Sequence, residues 1–368
     1  MDIDLSIALV GLPNVGKSII FNLLTDQRSE VSPYPISTPK PLYGVVEWTD
    51  PRMPLLAKVI HPEQVFPLKL QITDTVGIMP GQNQGMSGNA EGLESMRSSD
   101  ILCHVVRSFK DQKVAHIRPD LDLARDSNIF WTELCLIDYE LIKSKAAKLE
   151  RTITRGSKDP SVHFENDLLN NKILLDLRNG IPLCEHHWDE REVKVFDSLT
   201  LVTHKPNFIV LNYDENQIEE YGSESKWKKG PPFQNKNVLA SCSRLETDIT
   251  NLSSIEQAEF LSLYDGFSLT SQQIIPMALN TANRITYFTF GHLGLKQWSV
   301  PKDTTSVDAA RRLHTDFANR FVAVEVAAVD ALLETGSIDL LKSQGKLRLE
   351  GRDYIVKDGD ILYFRFSK

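Results

Sequence analysis

The stretch G-L-P-N-V-G-K-S, Gly11–Ser18, constrains this chain more than any other feature of its sequence. It meets the spacing G-x-x-x-x-G-K-[ST] at every fixed position and directly follows the apolar run Leu5–Val10. In that spacing glycines let backbone N–H groups approach a phosphate. The lysine reaches the terminal phosphates, and the hydroxyl binds Mg²⁺. Strand, loop and then helix (Ser18–Leu24) predict the start of an α/β fold whose ligands sit at the carboxyl ends of parallel strands.

The rest of the chain supports that class. Strands are expected at Phe66–Thr75, Ile101–Arg107, Asn207–Asn212 and Asn237–Ser243, separated by helix-length segments, the pattern of a mostly parallel sheet. Between the third and fourth strands the period changes. From Thr132, apolar residues fall at Leu134, Ile137, Leu141, Ile142, Ala146, Leu149 and Ile153. A second such stretch, with Leu168, Leu169, Ile173, Leu174 and Leu177, follows the turn Arg155–Pro160. This predicts an antiparallel helical hairpin; ordinary helices packed on the sheet are the alternative. From residue 284 onward, two strands, an amphipathic helix, a strand and further strand-like runs with glycine turns suggest a small β-grasp domain.

With 41 Lys and Arg against 49 Asp and Glu, the net charge is −8, so no global basic field draws the chain to nucleic acid or anionic lipid. Sequence-specific DNA binding is not expected. Cys103, Cys135, Cys184 and Cys242 lie far apart and form no C-x-x-C pair, so they read as buried thiols in a reducing compartment. No apolar run approaches the roughly 20 residues of a membrane span. The N-terminus M-D-I-D-L-S is acidic, unlike a transit peptide. A cytoplasmic protein is expected, with a mitochondrial location as the alternative.

Two further elements support the phosphate loop. Asp74-Thr75-Val76-Gly77 closes the second strand, where NTPases of this fold hold Mg²⁺ through water and sense the γ-phosphate through a glycine N–H. Thr38, in Y-P-I-S-T-P, occupies the segment where a threonine completes the Mg²⁺ shell. The base motif departs from the guanine-reading N-K-x-D. The strand F-I-V-L ends in Asn212-Tyr213-Asp214-Glu215, which lacks the lysine and carries an acid one methylene longer. A mispaired guanine donor costs on the order of 1–3 kcal/mol, so a guanine preference does not follow. After Gly77 comes Ile78, where Ras-type enzymes carry a water-orienting glutamine. Hydrolysis must then be slow, or rely on another group.

These residues resemble the Obg-like ATPase (YchF) branch of the translation-factor-related P-loop NTPases. The resemblance spans nearly the whole chain, through V-G-L-P-N-V-G-K-S, Y-P-I-S-T-P-K-P, Gly44–Arg52, D-T-V-G-I, His104–Phe109, N-x-x-E, Cys242–Glu246, His314–Phe317 and Asp353–Asp360. It implies a G domain in two parts (1–128 and 201–283), a coiled-coil arm (129–200) and a C-terminal TGS domain (284–368). It also implies ATP hydrolysis, with GTP weaker, and the ribosome or a translation factor as partner. The nucleotide would lie on Asn14, Val15, Gly16, Lys17, Ser18, Ile19 and Gly77, its base beside Phe109, Asn212, Tyr213 and Cys242. Mg²⁺ would be held by Ser18, Thr38 and Asp74. His116 would be the catalytic histidine. Departures in the glycine loop Gly85–Asn89, at Ile19 and at Pro39-Lys40 leave room for a diverged eukaryotic paralogue. Two alternatives remain, a GTPase with relaxed base choice and a nucleotide-stabilised binding module.

Overall fold

A computed structural model describes residues 3–25, 40–81, 90–221, 236–263, 269–291 and 294–367. The chain divides into two compact units. One comprises Ser6–Gly44 and Ile72–Ala278; the other comprises Met1–Leu5, Val45–Gln71 and Leu279–Lys368.

The first sheet has the strand order β2-β4-β1-β5-β6-β7. Its strands are β1 (Leu5–Val10), β2 (Leu42–Trp48), β4 (Leu68–Asp74), β5 (Ile101–Arg107), β6 (Asn207–Asn212) and β7 (Val238–Ser241). The pairs β1–β5, β5–β6 and β6–β7 are parallel. Such strands are covered on both faces, which is why β5 is apolar along most of its length and buried at every residue. The phosphate loop joins β1 to helix α1 (Lys17–Thr25).

Helices α2 (Arg52–Ile60) and α3 (Ala90–Ser98) precede a 32-residue helix, α4 (Leu123–Thr154). The helical pattern read from Thr132 thus begins earlier, at Leu123. Asp122 caps the start of α4, accepting the Arg125 N–H. Past the turn, Asp159 caps α5 (Pro160–Leu168), with Pro160 at its first position. A π-helical turn at Leu169–Ile173 leads into α6 (Leu174–Arg178). Ile142 and Ala146 of α4 share one apolar cluster with Leu168, Leu169, Ile173 and Leu177, so the expected hairpin forms.

The base of α4 is fixed by aromatic packing. His104 of β5 stacks on Phe130 with ring centroids 4.3 Å apart and meets the edge of Trp131 at 5.8 Å. Burial pushes the His104 imidazole down to about 3. A base depressed in the folded state contributes its full stability above its unfolded value near 6.5 and loses it as pH falls toward 3. Over that window the cost of this one group is about 1.4 kcal/mol per pH unit. The urea midpoint of the parent should therefore fall relative to that of His104→Phe between pH 6.5 and 4.5, with the two curves parallel above pH 7. Parallel curves throughout would contradict this.

The second sheet has the order β11-β10-β12-β8-β9-β3. It is built from β3 (Val65–Phe66), β8 (Arg284–Gly291), β9 (Gly294–Pro301), β10 (Phe321–Ala328), β11 (Arg348–Glu350) and β12 (Asp360–Phe366). The first and last long strands, β8 and β12, lie parallel at the centre, flanked by the antiparallel pairs β8–β9 and β10–β12. This is the β-grasp arrangement expected from the order of elements. Of the strand-like runs expected after the helix, the one before β12 is reduced to β11 and a bridge between Thr305 and Ile355. Residues 45–71, assigned above to the G domain, pack in this unit. Met53 and Leu56 of α2 bury against Phe288, Leu295, Leu332 and Ile361.

Candidate nucleotide site

The phosphate loop begins where β1 ends. Its curvature needs positive φ at Gly11 (145°), Asn14 (59°) and Gly16 (102°). Asn14 is among the few side chains that tolerate this region. Its amide donates to the Ala115 carbonyl oxygen at 3.1 Å, which ties the loop to the segment after β5. At Gly16 a Cβ would meet the Asn212 amide nitrogen at 2.0 Å. That approach is used: the Asn212 amide donates to the Val15 carbonyl oxygen at 2.9 Å, and its oxygen accepts the Ser243 N–H at 3.4 Å. Asn212 thus joins the phosphate loop, the end of β6 and the segment after β7.

Lys17 is buried, its ammonium donating to the carbonyl oxygens of Leu12 (2.9 Å) and Gly11 (3.4 Å). Burial lowers its pKa to about 8, against the opposing pull of Asp74. Ser18 donates its hydroxyl to Asp74 Oδ2 at 2.6 Å. Burial raises the Asp74 carboxyl, with Lys17 and Ser18 opposing. The second carboxylate oxygen, Oδ1, is buried and accepts no hydrogen bond from the described residues. A hydroxyl and a carboxylate with a spare buried oxygen are hard donors of the kind Mg²⁺ takes directly or through water. Gly77 lies against the loop, since a Cβ there would sit 2.9 Å from the backbone of Pro13. Ile78 is buried and its N–H donates to the Gly11 carbonyl oxygen at 3.3 Å, so the side chain is a packing residue. Thr38 lies outside the described residues. Ile19 follows Ser18 in α1 and is partly buried.

The residues expected to lie beside the base gather at three strand ends. Ser108 and Phe109 donate their N–H groups to the Asn212 carbonyl oxygen (2.7 and 3.1 Å), and the Tyr213 N–H donates to Ser241 (2.8 Å). The Tyr213 ring is buried and stacks on Tyr221 at 5.3 Å. Burial raises its hydroxyl. The side chain at this position is therefore turned into the interior, and a lysine there, as in N-K-x-D, would carry its charge into an apolar cluster. Cys242 is buried just before the helix Ser243–Thr250. Glu215 is exposed at the start of a short 3₁₀ turn capped by Asp214.

Two groups here escaped the reading of single motifs. Arg107, the last residue of β5, is buried and donates to four carbonyl oxygens: Phe109 (3.1 Å), Asp111 (3.0 Å), Val114 (3.1 Å) and Ala115 (3.4 Å). Its guanidinium also lies 4.2 Å from the centroid of the Phe109 ring, covering one face. An arginine ending an apolar strand must find such partners, and that was its only sequence signal. Glu246 is buried, its carboxyl raised by burial, and accepts from Ser241 (3.2 Å) and the Ser271 N–H (3.2 Å). It braces the loop behind Cys242. His116 follows the segment that Arg107 organises, its ring turned to Asp126 of α4 at 3.3 Å.

Comparison with known proteins agrees with this geometry. Residues 6–130 match the family model described as 50S ribosome-binding GTPase. Residues 284–367 match that of the YchF GTPase C-terminal region, described as a protein of unknown function. The chain is similar to the ribosome-binding ATPase YchF of Mycoplasma genitalium, 33% identical over 99% of both chains. It is also similar to that of Bacillus subtilis, 31% identical over 99% of both. The structure of the Schizosaccharomyces pombe YchF GTPase superimposes with a TM-score of 0.80 at 26% identity, covering 99% of this chain and 98% of that one. Full-length similarity at this level, on a chain with an assembled phosphate loop and a β-grasp unit, shows that it belongs to the YchF family of P-loop NTPases.

Proposed function

We propose that this chain is a Mg²⁺-dependent ATPase of slow turnover that works as a nucleotide switch on the ribosome in the cytoplasm. The observation that carries the reading is the convergence of buried Lys17 and Asp74 with the half-buried Ser18 hydroxyl, which would set a phosphate ligand beside two cation ligands. Mg²⁺ bound by Ser18 and Asp74, with Thr38 as a third ligand, would neutralise phosphate charge. The Mycoplasma genitalium and Bacillus subtilis relatives are named ribosome-binding ATPases, which supports both the activity and the partner. In this reading the G domain is 1–128 with 201–283, the arm 129–200 and the TGS domain 284–368, although residues 45–71 pack in the unit that holds 284–368. Among the described residues no helix is long and apolar enough to cross a membrane, and net acidity disfavours sequence-specific DNA as a partner.

Base choice follows from the base side of the site. A buried Tyr213 and an exposed Glu215 offer no carboxylate held in place for guanine N1–H and N2–H₂. ATP should therefore outcompete GTP by about tenfold, one regained or lost donor pair. A GTPase of relaxed base choice is the second reading, favoured by the GTPase names of the matched model and of the yeast relative. Ile78 motivates a third, a binding module with negligible hydrolysis. Direct competition and phosphate release separate them. Equal ATP and GTP affinities would favour the second, and absence of Mg²⁺-dependent phosphate release the third. His116 supplies the missing acid–base group in this proposal. His116→Ala should lower turnover at least tenfold, about 1.4 kcal/mol of barrier, with ATP affinity nearly unchanged.

A further inference from the structure

Both ring nitrogens of His116 face protein. Nδ1 lies 2.9 Å from the Arg118 carbonyl oxygen and 3.3 Å from the Arg118 amide nitrogen. Nε2 lies 3.3 Å from Asp126 Oδ2, with the two side chains only 8% and 4% exposed. The contact is close but not aligned as a hydrogen bond, and both atoms are shut off from solvent. A general base must present a lone pair within about 3 Å of the water it deprotonates. This ring presents none. Yet the carbonyl oxygen of the preceding residue, Ala115, accepts from Asn14 of the phosphate loop. The main chain reaches the site while the side chain is turned away from it.

What holds the ring belongs to the arm. Asp126 is in the first turn of α4, the helix that continues into the hairpin. Arg125 engages its Oδ1 through Nε (3.1 Å) and Nη2 (3.0 Å) and is itself fixed by Asp120 at 2.7 Å. Oδ2 is left facing the imidazole. Arg107 also sits in the field of Asp126 and Asp111. We infer that Asp126 is a positioning residue that stores His116 in a position unable to act on water, and that release of the imidazole from the root of the arm sets the rate of hydrolysis. This rests on the reading of His116 as the water-activating group.

Asp126→Asn keeps an oxygen for Arg125 and removes the charge that faces Nε2. If only the released fraction of molecules is competent, loss of storage raises that fraction. The expected result is a kcat for Mg²⁺-ATP at least about threefold above the parent, with KM within about twofold. Asp126→Glu, which restores the charge, should return kcat toward the parent. In a His116→Ala background Asp126→Asn should change nothing. Carbethoxylation of the nucleotide-free protein, read by mass spectrometry, needs no turnover. His116 should be protected in the parent and modified in Asp126→Asn about as fast as the exposed His314. A kcat at or below the parent in Asp126→Asn, or continued protection of His116, would overturn the storage role. Undiminished turnover in His116→Ala alone would instead remove the catalytic reading on which it rests.

Discussion

Lys17→Met is expected to remove nucleotide binding while leaving the empty protein at least as stable as the parent. The ammonium is buried and, among the described residues, donates to two carbonyl oxygens of its own loop. Its lowered pKa, about 8, records the cost of that burial. The sign follows from linkage. A lysine depressed from about 10.5 to about 8 penalises folding fully below pH 8, and the penalty vanishes as pH rises through 10.5. A methionine of similar length avoids it, so the melting temperature of Lys17→Met should equal or exceed the parent's at pH 7 and converge with it near pH 10.5. Nucleotide binding responds in the opposite direction. A charge-assisted contact to phosphate oxygens contributes on the order of 3 kcal/mol, about two orders of magnitude in affinity. Titration of ATP by calorimetry, beside a thermal melt, reads both effects. ATP affinity within threefold of the parent would end the phosphate-loop reading.

A single methyl group at position 16 should be nearly as damaging by another route. In Gly16→Ala the new Cβ would lie 2.0 Å from the Asn212 amide nitrogen, at a φ of 102° that side chains rarely adopt. Asn212 must move, which breaks its bond to Val15 and loosens its contact with Ser243. Both the phosphate loop and the base segment lose their common brace. Strain plus a lost buried hydrogen bond amounts to about 2–4 kcal/mol, a fall in melting temperature of at least about 5 °C, with ATP binding undetectable. Asn212→Ala is the informative comparison. It removes the brace without the clash, so it should weaken nucleotide binding with a smaller fall in melting temperature. Parental binding in Gly16→Ala would mean that the loop can open without Asn212.

Those two residues mark how far the sequence could be read. Gly16 and Lys17 were identified by spacing alone, because a phosphate cradle is made from consecutive backbone groups and leaves a local signature. Asp74 and Asn212 were found because each ends a strand that periodicity predicts, and strand ends of a parallel sheet converge. Arg107 lay in a quoted motif but its role was hidden. Four carbonyl oxygens of one irregular segment become its partners only after that segment has folded back on it. The burial of Tyr213 was hidden too, because it depends on Tyr221 arriving on the next turn of chain.

By itself the sequence determined the α/β class, the phosphate loop, the helical hairpin and the β-grasp order. Each rests on short-range regularity: backbone geometry, side-chain period and capping chemistry act over a few residues. Only the tertiary structure decided which distant groups share a low-dielectric interior. It placed α2 with Phe288, Leu295 and Ile361, more than two hundred residues further along the chain. It turned His116 toward Asp126 of the arm. The residues between these partners carry no trace of the pairing, since contact energies depend on distance in space and not along the chain.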